Sequence, residues 1–315
     1  MITKDDVDAA RERIRPHVHE TPLLTSTRLG NRAGGILLRL KCESMQRTGS
    51  FKARGALNAM MQLSHAEKAR GVVTVSAGNH AQALAWASAM VGADCITVMP
   101  EGASRTKISA TEGYGGHVEL VAGERAKAFE RAQEIASRGR VLVHPFDDPR
   151  VAAGQGTVAL EVLEQCAEVH TVVVPIGGGG LITGIAVALK SAKPEIRIIG
   201  VEPIGAAAMR ASLDAGAPRT VAPKTVADGL AAPMVGEMTF DAVRRYVDDV
   251  VLVTDEEILA TMRDLMGYAK LVVEPAGAAA VAALLMGKVL VDRGATVVAV
   301  ISGGNVDLDR LKTLL

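Results

Sequence analysis

Residues 171–189 read TVVVPIGGGGLITGIAVAL, an uncharged run in which Pro175 and four glycines separate two apolar halves. The run is nearly long enough to span a bilayer, but these interruptions favour a strand, a loop and a helix instead. Four consecutive glycines cost backbone entropy, and bare amides at a helix start form an anion site that a phosphate usually fills. The stretch therefore predicts a buried strand whose end holds a single phosphate.

The same rhythm of short apolar strands and longer helices extends in both directions from this run. Apolar runs at 72–75, 95–99, 118–121 and 141–143 alternate with helical stretches that begin near Asn79, Arg105 and Glu124. A second series begins near Gly154 and ends with a strand at 296–301. Such alternation is typical of βαβ units and a parallel sheet. We predict an α/β fold of two domains, each with a mostly parallel sheet flanked by helices: a small domain at 67–151 and a large, discontinuous domain at 1–66 and 152–315.

The composition excludes several classes of protein. The 315 residues include 35 basic and 35 acidic side chains, so no charge excess indicates nucleic acid or an anionic membrane as a partner. Cys42, Cys95 and Cys166 are isolated and odd in number, which argues against a disulfide framework or a zinc site and favours the cytoplasm. The N-terminal MITKDDVDAARERIR is charged and helix-like, unlike a signal peptide.

A candidate nucleophile lies in S-F-K-A-R-G-A, residues 50–56. Lys52 stands between an aromatic ring and small residues at the start of a helical stretch. An amine in such a place can condense with an aldehyde to form a Schiff base, provided that burial or nearby positive charge lowers its pKa. The heptad alone proves little, and its weight comes from the glycine-rich loops elsewhere in the chain.

Two further loops and one acid complete the set of candidates. Ser76-Ala77-Gly78-Asn79-His80 lies between a strand and a helix start, where amides suit a carboxylate. Asn79 can bond a phenolate oxygen without taking its proton, although asparagine also caps helices, and His80 suits an ordinary helix position better than a base. Ser302 ends the last strand, and its hydroxyl can face a ring nitrogen. Glu274 is a carboxylate among apolar residues and needs a partner.

A nucleotide-binding oxidoreductase is the alternative from another class. Glu202 ends the strand after the glycine run, roughly where a ribose-binding acid lies in a Rossmann unit. However, Ile182 occupies the third glycine position of G-x-G-x-x-G, and the run lacks the G-K-[ST] of a Walker loop. A single phosphate suits the run better than NAD does.

Taken together, these pieces resemble the pyridoxal-phosphate enzymes of the tryptophan-synthase-β fold type, and among them the threonine/serine dehydratases. The matching stretches, in the same order and spacing, are S-F-K-A-R-G-A (50–56), S-A-G-N-H-A-Q (76–82), H-P-F-D-D-P (144–149), G-Q-G-T (154–157), P-I-G-G-G-G-L (175–181) and S-G-G-N (302–305). The resemblance covers essentially the whole chain.

This resemblance implies a role for each candidate. Lys52 would hold pyridoxal 5'-phosphate as a Schiff base and move the substrate α-proton, and the loop of Ser76, Ala77, Gly78, Asn79 and His80 would bind the substrate carboxylate. The remaining cofactor contacts would come from Phe51 and Gly229 at the two ring faces, Asn79 at the ring hydroxyl, Gly177, Gly178, Gly179, Gly180 and Leu181 at the phosphate, Ser302 at the pyridine nitrogen, and Glu274.

The implied activity is a lyase reaction of amino-acid catabolism. A β-hydroxy amino acid, L-threonine or L-serine, would lose water and give a 2-keto acid and ammonia. Serine racemases usually carry S-S-G-N-H, and Ala77 replaces the second serine, so a racemase is disfavoured and a hydroxyaspartate ammonia-lyase is weakened without being excluded. The resemblance implies no metal site, because Glu202 could be one acidic ligand of a divalent ion but Ala206-Ala207-Ala208 supplies no second acid. The resemblance further implies a homo-oligomer, a dimer or a tetramer.

Overall fold

The computed structural model describes residues 1–123 and 125–315. The strands are β1 (Leu23–Thr25), β2 (Leu37–Cys42), β3 (Val72–Val75), β4 (Cys95–Pro100), β5 (His117–Val121), β6 (Val141–Leu142), β7 (Thr171–Pro175), β8 (Arg197–Pro203), β9 (Asp249–Val253) and β10 (Thr296–Ile301). The helices are α1 (Lys4–Ile14), α2 (Thr27–Arg32), α3 (Lys52–Met61), α4 (His65–Arg70), α5 (Asn79–Val91), α6 (Arg105–Gly113), α7 (Arg125–Ser137), α8 (Pro149–Gln165), α9 (Gly180–Ala192), α10 (Ala208–Ala215), α11 (Glu237–Tyr246), α12 (Asp255–Asp264), α13 (Pro275–Leu285) and α14 (Leu308–Leu314).

The larger sheet has the strand order β1-β2-β10-β7-β8-β9. Its strands are parallel apart from β1, which pairs antiparallel with β2. Strands β7 and β10 lie at its centre and are buried along their whole length. Helices cover both faces of such a strand, which is why these two sequences are apolar without alternation.

The smaller sheet has the order β5-β4-β3-β6 and is parallel throughout. All of its strands fall within the predicted small domain at 67–151. Helices α4 and α8 run across the predicted boundaries at 66/67 and 151/152, and the division into domains stays a prediction.

The predicted α/β class with mostly parallel sheets is confirmed. The predicted runs match β3 and β10 residue for residue, and the other predicted strands match to within two residues at either end. Strands β1 and β2 were not predicted. The predicted helix start at Glu124 lies outside the described residues, and α7 begins at Arg125.

Helices α3, α8 and α9 pack with their backbones in direct contact, because glycines occupy the positions where the helices meet. A Cβ added to Gly154 would lie 2.6 Å from the Cα of Gly55 and 2.7 Å from the carbonyl oxygen of Arg54. Gly184 of α9 would place a Cβ 2.2 Å from the carbonyl oxygen of Ala152. Helix α3 carries Lys52 at its first position, so this close packing fixes the depth at which the lysine sits.

Charge also anchors α3. The side chain of Arg54 is 1% exposed, and its guanidinium forms salt bridges with Glu43 at 2.8 Å and with Glu161 at 2.6 Å. Lys41 of β2 is fully buried and meets Glu161 at 2.6 Å. Burial alone would raise the pKa of Glu161, but the hydrogen bond and charge of Arg54 bring it below its ordinary value. We call these four residues the ion cluster; it joins α3 to β2 and α8.

The three cysteines are buried and free. Burial raises the pKa of Cys42 to about 12 and that of Cys95 to about 11, so both remain thiols near neutral pH. In the ranges 1–123 and 125–315, no helix combines the length and the apolar character needed to cross a bilayer.

The glycine packing gives a test of the fold. We expect Gly154→Ala to lower the free energy of unfolding by about 1–3 kcal/mol, because its Cβ would meet rigid backbone atoms. The matched control is Gly113→Ala in α6, where an added Cβ would meet nothing within 4 Å. Denaturant unfolding of both variants checks this, and equal stability of the two would contradict the packing argument.

Candidate active site

The topology of the larger sheet brings two of the predicted loops together. Strands β10 and β7 are parallel neighbours, so their carboxyl ends meet at one edge. Ser302 follows β10, and Ile176 and the four glycines follow β7. Ligands of open α/β sheets bind at this kind of edge.

The smaller sheet does the same for the other two loops. Strands β3 and β6 are parallel neighbours. Residues 76–80 follow β3, and H-P-F-D-D-P at 144–149 follows β6. The two edges are joined by direct contacts: the Nζ of Lys52 donates to the carbonyl oxygen of Pro145, and Asn79 donates to Glu274.

Lys52 is an amine without a carboxylate partner in the described part of the chain. Its Nζ lies 2.7 Å from the carbonyl oxygen of Pro145 and 5.1 Å from the ring centroid of Phe51. Desolvation by burial lowers the pKa of Lys52 to about 8. A sizeable fraction of this amine is therefore neutral near pH 8, which is the form that attacks an aldehyde.

Backbone hydrogen bonds fix the turn that precedes this lysine. The N–H of Phe51 donates to the carbonyl oxygen of Ser302 at 3.1 Å, and the N–H of Gly304 donates to that of Gly49 at 2.9 Å. Ser50 and Gly303 form an isolated antiparallel bridge. The S-G-G-N turn and the lysine turn are therefore built as one unit, although more than 250 residues separate them.

The tetraglycine loop offers unpartnered amides. In the described structure the N–H groups of Gly177, Gly178 and Gly179 make no hydrogen bond, and helix α9 begins directly after them. Gly179 has a φ of 95°, the left-handed region that favours glycine. A Cβ on Gly178 would lie 2.2 Å from the ring of Phe146. Amides in this arrangement fit a phosphate.

The loop at 76–80, at the start of α5, also has unpartnered backbone N–H groups. We call this loop and the tetraglycine loop the two amide cradles. The N–H groups of Ala77, Asn79 and His80 have no hydrogen-bond partner in the described structure, whereas that of Gly78 donates to Ser76 Oγ at 3.2 Å. Burial, and then the charge of Lys52, holds the pKa of His80 well below its ordinary value. A neutral, buried His80 agrees with its predicted place as an ordinary helix residue.

Asn79 and Glu274 meet across the two edges. The Nδ2 of Asn79 donates to Glu274 Oε1 at 2.6 Å. Burial raises the pKa of Glu274 to about 7, the Asn79 bond opposes this rise, and the charge of Asp228 adds to it. The predicted need of Glu274 for a partner is therefore met by Asn79.

The remaining predicted residues lie around these groups. Ser302 Oγ is buried and makes a 3.3 Å bond to the carbonyl oxygen of Ala276. Gly229 packs close to α13, since an added Cβ would be 2.9 Å from that of Ala276. The Leu181 side chain is buried in the core. Phe51 is half-buried and packs against the same core. Their roles toward a cofactor stay predictions.

Glu202, the acid of the nucleotide alternative, serves another purpose. Its two oxygens accept hydrogen bonds from the N–H groups of Met209 and Arg210, each at 2.8 Å. The carboxylate therefore caps the start of α10. Burial raises the pKa of Glu202 to about 7, and these amides limit the rise.

Three residues at or beside the site had no predicted role. Phe146 lies against the tetraglycine loop, Asn305 donates to Asn79 Oδ1 at 2.8 Å, and Arg54 anchors the lysine helix. All three stand inside motifs that the sequence analysis quoted. Their partners are remote in sequence, so the motifs contain these residues but do not show what they contact.

These groups fit pyridoxal phosphate. A desolvated amine suits the aldehyde, the amides before α9 suit the phosphate, and the amide of Asn79 suits a ring oxygen. The second amide cradle at 76–80 leaves a separate place for a substrate carboxylate.

Comparisons with known proteins agree with this fit. A family model described as pyridoxal-phosphate dependent enzyme matches residues 14–303. An L-threonine ammonia-lyase of Thermotoga maritima is 44% identical over 317 residues, covering 100% of this chain and 78% of the relative. The catabolic L-threonine dehydratase TdcB of Escherichia coli is 44% identical over 318 residues, covering 99% and 96%. The crystal structure of serine racemase from Dictyostelium discoideum superposes with a TM-score of 0.92 at 39% identity, covering 98% of this chain and 99% of that one.

The raised pKa of Glu274 predicts a pH-dependent stability. Between the ordinary carboxyl pKa and about 7 the unfolded state releases this proton while the folded state keeps it, so the contribution of Glu274 falls as pH rises. Glu274→Gln keeps an acceptor for Asn79 but cannot titrate. We expect its free energy of unfolding, relative to that of the parent, to rise by roughly 1–3 kcal/mol when the pH is raised from 5 to 8. Denaturant unfolding at both pH values measures this difference. A difference that stays constant with pH would show that Glu274 titrates normally.

Proposed function

The chain belongs to the pyridoxal-phosphate-dependent enzyme family, and we propose that it removes water from L-threonine or L-serine, giving a 2-keto acid and ammonia. The observation that carries this proposal is the desolvated Lys52 amine near two amide cradles, in a chain whose relatives along its full length are named for threonine elimination. Bound pyridoxal phosphate supplies an aldehyde that joins an amine and a conjugated ring that accepts electron density.

The residues of the chain divide the work. Gly177 to Leu181 would hold the cofactor phosphate through backbone amides, and the loop at 76–80 would bind the substrate carboxylate, so the cofactor and the amino acid would each be held by one loop. Lys52 would hold the aldehyde of the cofactor, and its amine, in the neutral form, would take the proton from the substrate Cα. The desolvation that lowers the pKa of Lys52 to about 8 leaves part of this amine neutral, and only the neutral form can accept a proton.

Ser302 sets the direction of the chemistry. If Ser302 faces the ring nitrogen, its hydroxyl would not donate a full proton to that nitrogen as a carboxylic acid would, so negative charge at Cα would be stabilised only weakly. Loss of the β-hydroxyl as Lys52 removes the α-proton would avoid that charge, and the hydroxyl and one proton together make up the water that is lost. The product enamine then takes up one water and releases ammonia and the 2-keto acid.

A second candidate is racemisation, which the structural likeness to a serine racemase favours. Exchanging the α-proton between two faces needs a second proton carrier opposite Lys52. Position 77 is alanine, so the loop lacks a hydroxyl at the position where serine racemases usually carry their second serine. We therefore rank elimination above racemisation. A hydroxyaspartate ammonia-lyase shares the elimination chemistry and differs only in substrate.

We further propose the cytoplasm as the compartment and a homo-oligomer, dimer or tetramer, as the assembly. Three buried free thiols and the absence of a membrane-crossing helix in the described ranges support the first. Light scattering of the purified protein tests the second.

An assay of product release tests the proposed activity. We expect ammonia and an equimolar 2-keto acid from L-threonine or L-serine in a screen that also includes hydroxyaspartate, phenylserine and D-serine. Lys52→Ala should lose at least about 1000-fold in rate, since both attachment of the cofactor and the proton transfer depend on this amine. Chiral chromatography of the same reactions detects racemisation. D-serine formation that exceeds keto-acid formation would overturn the ranking, and full activity of Lys52→Ala would remove the lysine from its role.

A further inference from the structure

Asn305 closes the S-G-G-N turn and bridges two parts of the site. Its Nδ2 donates to Asn79 Oδ1 at 2.8 Å and to the carbonyl oxygen of Thr48 at 2.7 Å. One side-chain amide thereby joins the start of α5 to the turn that precedes Lys52. Both hydrogens of its Nδ2 are used in these two bonds.

Asn79 is held at both ends as a result. Its Oδ1 accepts from Asn305, and its Nδ2 donates to Glu274 Oε1 at 2.6 Å. An unrestrained amide can rotate and present either oxygen or nitrogen to a neighbour, but these two bonds permit only one orientation. One N–H of Asn79 remains for a further acceptor.

Thr48, which accepts the second hydrogen bond of Asn305, has an unusual backbone conformation. Thr48 has a φ of 56° and Gly49 a φ of 74°, so two successive residues lie in the left-handed region. Such a conformation in threonine costs free energy and persists only where the surroundings hold it. A Cβ on Gly49 would lie 2.2 Å from Asn305 Oδ1, so the asparagine fits directly against this turn.

We propose that Asn305 is a positioning residue, which orients Asn79 so that its remaining N–H faces the ring oxygen of the bound cofactor. This inference rests on the proposed function, because it takes Asn79 as the contact of that oxygen. Asn305 acts through Asn79 and touches neither the cofactor nor the substrate. Through Thr48 the same side chain ties that orientation to the turn carrying Lys52.

The raised pKa of Glu274 agrees with this arrangement. A carboxyl group that is largely protonated below pH 7 still offers its carbonyl oxygen to Asn79 Nδ2. The Glu274 contact alone, however, leaves the Oδ1 of Asn79 without a donor in the described structure. Asn305 supplies that donor, so a substitution of Asn305 removes the bond to Asn79 Oδ1 and leaves the Glu274 bond in place.

The visible absorption of the bound cofactor reports on this contact, because donors at the ring oxygen change the electronic state of the chromophore. We expect Asn305→Ala to change the ratio of the absorption bands and to weaken cofactor binding about two- to tenfold, the effect of one lost hydrogen bond. In an Asn79→Ala background the same substitution should have almost no further effect, since the residue that it orients is gone. The titration uses pyridoxal phosphate and the full chain.

A matched control lies two residues further along. Asp307 precedes α14, and its side chain makes no capping hydrogen bond, so Asp307→Asn should keep the parent spectrum and affinity. Asn305→Asp is the second variant, for the case that alanine prevents folding: it is isosteric, but its carboxylate cannot donate to Asn79 or Thr48. It should reproduce the spectral change of the alanine variant.

The outcomes separate the two proposals. A parent protein without any visible band in saturating pyridoxal phosphate would remove the proposed function itself. A normal parent band that Asn305→Ala and Asn305→Asp leave unchanged would overturn the inference alone. Equal changes in the parent and Asn79→Ala backgrounds would also overturn it, because Asn305 would then act through the Thr48 turn and not through Asn79.

Discussion

The site depends on the salt bridges that Arg54 makes inside the protein. Its guanidinium is buried with two carboxylates, Glu43 and Glu161, and Lys41 balances the charge of the group. Removing one partner of such a buried set typically costs about 3–5 kcal/mol, because an uncompensated charge remains in the interior. Arg54 lies two residues after Lys52 on helix α3, so the ion cluster holds the helix while the lysine itself stays free of carboxylates. Helix α3 thus carries a buried guanidinium that is fully paired and, two residues earlier, a partly buried amine that no carboxylate of the described residues pairs.

This separation of roles explains how the chain makes a reactive amine. Lys52 is desolvated, and its Nζ donates to the neutral carbonyl of Pro145, so no carboxylate of the described residues stabilises the ammonium form. Around it, parallel strands place loops at one edge of each sheet. These strands are β7 and β10 in the larger sheet and β3 and β6 in the smaller. Two amide cradles and one fixed asparagine result. In the proposed reaction, binding and orientation would come from loops that rigid strands position, and proton transfer from Lys52 at the start of helix α3.

Much of this arrangement was predictable from local pattern. The strands β3 and β10, the helix start at Asn79 and the glycine loop have signals within a few residues of one another. Strand β2 was not predicted, because Arg39 and Lys41 alternate with its leucines, and charged residues usually indicate exposure. Lys41 is buried only because Glu161, 120 residues away, pairs with it. The start of α8 was placed too late, although Asp148 before Pro149 is a recognisable cap. Asn305 acts through partners 226 and 257 residues away, which no local pattern contains.

Borohydride reduction of the purified protein saturated with pyridoxal phosphate, followed by peptide mass spectrometry, tests the central claim most directly. Reduction makes an imine between cofactor and lysine permanent, so the modified residue can be read from the peptide masses. The account predicts the pyridoxyl group on Lys52 in the S-F-K-A-R segment, at close to one per chain. An unmodified Lys52, with the label on another lysine or on none, would contradict it.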